Sequence, residues 1–134
     1  MKKLIIILLC IGMIFSVGCQ KDIPEGVSEE FYDEMIESSE YALKLLKDSE
    51  GMSNQEVTVT YITSNIHQNY IKKYEYNEDL LSQKEKGILD SYSWIIDCIA
   101  MSKDSDFFKK VLRKELQTFS DLMNLNYEVD NLIK

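Results

Sequence analysis

One histidine, one proline and one tryptophan occur in these 134 residues, and the scarcities close off classes of function. Zinc sites are built from clustered Cys and His. Here His67 stands alone, and the three cysteines, Cys10, Cys19 and Cys98, are scattered. A di-iron bundle uses Glu-x-x-His pairs, but Ser64 stands three residues before His67. His67 is read as a boundary residue of an apolar helix face, and no metal or other dissociable cofactor is expected. No Gly-rich phosphate loop, G-x-S-x-G elbow or calcium loop is present, so no enzyme is expected. Basic residues are also short, 15 against 23 acidic ones, for a net charge of −8. Such a chain is repelled by nucleic acid and by anionic headgroups, so no nucleic-acid partner is expected.

Long apolar runs are absent except at the start. After Met1-Lys2-Lys3 come twelve residues without a charge, Leu4 to Phe15. A helix crossing a bilayer needs about 20 such residues. A run this short behind a positive start suits the apolar region of a secretory signal. It ends "SVGC", Ser16 to Cys19, which resembles the lipobox of bacterial lipoproteins. Gly18 and Cys19 fit that pattern, Val17 is acceptable, and Ser16 departs from the usual Leu. The resemblance implies cleavage before Cys19, with diacylglycerol and a fatty acyl group on that residue as the membrane anchor. Residues 1–18 would be the signal peptide, 19–27 a tether, and 28–134 the folded domain. Localisation would be the extracytoplasmic face of the cell membrane.

Removing the signal takes away Lys2 and Lys3 and no acid. That leaves 13 basic against 23 acidic residues, a net −10. Attachment would then rest on the lipid and not on the surface. It also leaves Cys98 as the one free thiol, so no internal disulfide can form. Cys98 lies in the apolar stretch "SWIIDCIAM" and reads as a small buried hydrophobe.

The tether-to-end portion is long enough for one core. After Pro24 it holds only three glycines, Gly26, Gly51 and Gly87, so little interrupts helices. Four amphipathic segments follow. Ser28 can cap the first, with acids in its first turn. Phe31, Met35, Ser39, Ala42 and Leu46 share one face, and Gly51 suits a left-handed stop. The second opens with the capping box "SNQE", Ser53 to Glu56. "EVTVTYIT" alternates like a strand, but a lone strand would leave its backbone unpaired, so helix is preferred. Val59, Ile62, Ile66, Tyr70 and Tyr74 then form its inner face. The third is expected to run from Glu78, capped by Asn77, to about Met101, with Trp94 partly shielded. The fourth runs from a cap at Asp104 or Ser105 to about Leu132. Short connections make sequential neighbours antiparallel. The predicted fold is an all-α, up-down-up-down four-helix bundle; the alternative is a three-helix bundle with an irregular second segment.

The acids of the first helix, Glu29 to Glu40, read as a solvated face, and three other features stand out. Val57 to Ile71 carries no formal charge in a heavily charged chain, and its expected outer side is Tyr61, Ser64, Asn65, Gln68 and Ile71. "KKVLRK", Lys109 to Lys114, is a lone basic patch. Glu115 falls among Val111, Leu112, Phe119 and Leu122, so it is either a buried carboxylate with a partner or a partly exposed one. Interface centres are poor in charge and rich in Tyr. The expectation is a monomeric, lipid-anchored protein-binding module, an adaptor, inhibitor or immunity factor. The rival is a small-ligand carrier or transporter accessory. A closed cavity would favour the carrier, a filled core with an uncharged patch the binding module.

Overall fold

A computed structural model describes residues 21–102 and 105–133; the expected signal peptide, Cys19 and its flanking residues lie outside them. Among the described residues every regular element is helical. The elements are α1 (Glu29–Asp48), α2 (Asn54–Ile62), a π-turn (His67–Ile71) running into α3 (Lys72–Tyr76), a 3-10 turn (Glu78–Leu80), α4 (Gln83–Ser102), α5 (Asp106–Leu122) and the short α6 (Val129–Leu132).

The first helix forms as its pattern dictates. Phe31, Met35, Ser39 and Ala42 are buried, joined by Leu45, while Leu46 is half-buried. The helix ends at Asp48, and Gly51 turns the chain just past it at φ 83°, a region where only glycine is free of Cβ strain. "EVTVTYIT" is helical: Ser53 Oγ accepts from Glu56 N at 3.2 Å, and Glu56 Oε2 accepts from Ser53 N at 2.7 Å. The reciprocal box satisfies two donors of the helix start.

Two boundaries differ from expectation. The third helix does not start at Asn77. Asn77 precedes the 3-10 turn, and α4 opens at the second capping box, Ser82 with Glu85. The fourth helix stops at Leu122, ten residues early, because Asn124 takes φ 54°. Leu125 N donates to Ser120 O at 2.8 Å and Asn124 N to Asp121 O at 3.3 Å. These two bonds close a Schellman stop, with asparagine in the left-handed position. The tail then returns toward α1: Tyr127 Oη lies 2.7 Å from Ser39 Oγ. Val129 and Ile133 bury themselves, and Arg113 Nη2 donates to Ile133 O at 3.0 Å.

Cross-links fix the directions. Tyr41 meets Thr60, Glu37 meets Tyr70, and Glu30 meets Lys73, so α1 runs against the second segment. Asn54 donates to Met101 O, while the Tyr61 and Tyr92 rings lie 6.4 Å apart, so α2 runs against α4. Ser91 donates to Glu115 and Tyr92 packs on Phe119, which lie at the matching level of α5. Tyr92, Phe31, Phe119, Met35 and Ile88 fill the centre, each 1% exposed or less.

Candidate interaction surface

The second segment is where sequence and structure part furthest. It is neither one continuous helix nor irregular throughout. A continuous helix would keep one phase, but the residues turned inward are Val57, Tyr61, Ile66, Ile71 and Tyr74. Their spacings are four, five, five and three. The first spacing of five crosses the break at Thr63 and Ser64; the second crosses the π-turn, which adds a residue to one turn. Tyr61 (8% exposed) and Ile71 (1%) are therefore core residues, not the outer residues expected of them. Burial raises the Tyr61 phenol pKa, and Tyr61 packs on Tyr92 and on His67, whose ring lies 4.9 Å away. Conversely Val59 and Ile62, expected inside, are 48% and 43% exposed.

Of the remaining residues expected outside, Asn65 and Gln68 are exposed and Ser64 is half-buried. Ser64 Oγ accepts from His67 N at 3.2 Å and starts the turn after the break. Gln68 Nε2 donates to Ile62 O at 2.6 Å, capping the end of α2. Its amide is thus committed to holding the break together, although the residue faces solvent.

The true outer face comprises Thr58, Val59, Thr60, Ile62, Thr63, Asn65, Gln68 and Asn69, all exposed and none charged. Its threonines are less polar than they look. Thr58, Thr60 and Thr63 each donate their hydroxyl to the carbonyl four residues earlier, at 2.9, 2.8 and 2.7 Å. With the hydroxyl turned back to the helix, the methyl group is what remains to meet a partner. Three methyls beside Val59 and Ile62 make a short aliphatic face on β-branched side chains. Such side chains have stiff χ1 angles and lose little freedom when covered.

The acidic face of α1 is committed elsewhere. Lys73 Nζ reaches Glu34 at 2.8 Å and Glu30 at 3.0 Å, and Tyr74 Oη donates to Glu34. Desolvation alone would lower the Lys73 pKa, but its bonds to Glu34 and Glu30 outweigh that and raise it. Tyr70 Oη donates to Glu37 at 2.8 Å. These acids bind the second segment to α1.

Glu115 is half-buried and has a partner: Ser91 Oγ donates to its Oε2 at 3.2 Å. Trp94 is 57% exposed and so only partly shielded, because α4 turns Asp90, Trp94, Asp97 and Met101 outward as one stripe. Cys98 is buried, and burial raises its thiol pKa. A cleft of about 800 Å3 lies beside it, open to solvent and not closed. Among the described residues no three His, Cys, Asp or Glu side chains converge to hold a metal ion. No described helix is long and apolar enough to cross a membrane. No family model matches the chain, and no curated protein or solved structure matches it either.

Proposed function

We propose that the protein is a bacterial lipoprotein, lipidated at Cys19 and held on the extracytoplasmic face of the membrane, that works as a non-catalytic protein-binding module. Its bundle is up-down-up-down, with the second of four helices interrupted between Ile62 and His67. The observation that carries the reading is the exposed, uncharged face of that helix in a chain of net charge −8. Depletion of charge is what interface centres have in common, and confinement by lipid raises the effective concentration for partners on the same membrane. The partner is a protein of that membrane surface with an uncharged, apolar contact patch. An adaptor, an inhibitor and an immunity factor all fit this mode of action.

The test is retention of a partner by the lipidated protein from detergent-solubilised membranes. Ile62→Asp should lose it with helicity unchanged. Glu40→Lys, on the exposed side of α1, should retain it. Loss with Glu40→Lys and retention with Ile62→Asp would move the site to the acidic face.

A further inference from the structure

The open cleft offers a second site, on different residues from the threonine face. Leu43 and Leu46 of α1, Cys98 of α4, Phe108 and Leu112 of α5, and Ile133 of the tail line a space of about 800 Å3. That lies within the roughly 300–1,000 Å3 of ordinary ligand sites. Lys47, Lys109 and Glu50 complete the charged part of its lining. Neither lysine forms an ion pair with a described residue, and Lys109 is half-buried. An apolar floor with surplus positive charge, in an acidic protein, is selective by subtraction. A small polar molecule finds no partners on the leucines. An amine is repelled by the lysines, and a neutral hydrocarbon leaves them uncompensated.

We propose that this cleft binds a single-chain anionic amphiphile, its alkyl chain against Leu43, Leu112 and Phe108 and its head at Lys47 and Lys109. The orientation follows from charge. Cys98 is buried and shares the floor with leucines, where an anionic head would lose its hydration unpaired, so the head belongs at the lysines. The shared chemistry is one long alkyl chain with a carboxylate or phosphate head, supplied by a free fatty acid or by a lysophospholipid.

The chain from Gln20 onward retains every described core residue, Phe31 to Ile133, and serves for the test. Binding of the fluorescent fatty acid cis-parinaric acid is measured below its micelle concentration. Oleate, oleoyl lysophosphatidylglycerol, methyl oleate and oleylamine compete. The expected result is saturable one-to-one binding, displaced by oleate or the lysophospholipid, whichever is the tighter source, and not by the ester or the amine. Lys47→Glu with Lys109→Glu should weaken it at least tenfold with helicity unchanged. Leu43→Trp, which narrows the cleft where the alkyl chain lies, should weaken it while leaving both lysines in place. Saturating oleate should also slow alkylation of Cys98 in the unaltered protein. Absence of saturable binding, displacement by methyl oleate as strong as by oleate, or undiminished binding by the lysine variant would each overturn the proposal.

Discussion

Ser28 and Glu85 are joined twice: the backbone N–H and the hydroxyl of Ser28 both donate to Glu85 Oε1, each at 2.9 Å. The other oxygen of the same carboxylate accepts from Ser82 N at 2.8 Å. One carboxylate therefore serves the starts of α1 and α4 together, where both helix dipoles favour negative charge. Ser28 does not cap α1 in the ordinary sense, because its hydroxyl is turned away from its own helix toward Glu85. Ser82 Oγ extends the tie by donating to Gly26 O, fixing the chain just before α1.

Replacing Glu85 should therefore loosen two helix starts at once. Glu85 is 6% exposed. Glu85→Ala is expected to cost about 2 kcal/mol, as a buried charged acceptor is removed from its three part-buried hydrogen bonds. The check is chemical denaturation at neutral pH. A loss no larger than that of an exposed Glu→Ala on the outer side of α1 would contradict the shared role.

The same group sets an acid dependence. Burial alone would raise the Glu85 pKa, but the bonds from Ser28 and Ser82 outweigh it and the net shift is downward. A carboxyl whose folded pKa is depressed contributes stability that is fully present above its ordinary value of 4.5 and is lost as pH falls through the folded value. Glu85→Gln should flatten the loss of stability between about pH 5 and 3. A variant whose stability falls as steeply as the parent's over that range would refute this.

Asn124 tests the early end of α5. Its φ of 54° suits asparagine or glycine and strains a β-branched residue. Asn124→Val should cost about 1–2 kcal/mol, and Asn124→Gly should be neutral or stabilising. If α5 continued to Leu132 in solution, Asn124→Gly would destabilise a helix interior by about 1 kcal/mol. Thermal melting of both variants separates the two cases.

What the sequence carried, and where it misled, follows from phase. The pattern of α1 is a single run with acids outside, and its burial was legible except at its end, where Leu45 and not Leu46 turns fully inward. The second segment was not, because Tyr61 and Ile71 exchange sides with Val59 and Ile62 once the break at Thr63 and the π-turn are inserted. Periodicity assumes a constant twist, and β-branched residues on both sides gave no contrast by which to detect the change. "SQKE", Ser82 to Glu85, was a readable capping box that Asn77 obscured. Asn124 followed by Leu125 was a readable stop, hidden by apolar residues that continue beyond it. The low polarity of the threonine face could not be read at all, since it depends on where three hydroxyls point.

The proposed maturation at Cys19 carries a prediction of its own. Mass spectrometry of the membrane fraction should find a lipid-modified Cys19 as the amino terminus, and Cys19→Ala should leave the unprocessed precursor. Met1 as the terminus of the stable protein would contradict the anchor.

The most direct measurement of the central claim is photo-crosslinking on the lipidated protein in its own membrane. A photoreactive residue is placed singly at Val59, Thr63, Glu40 and Lys44. The account predicts one discrete adduct of the same partner from positions 59 and 63 and none from 40 and 44. Adducts at 40 and 44, with none at 59 and 63, would contradict it.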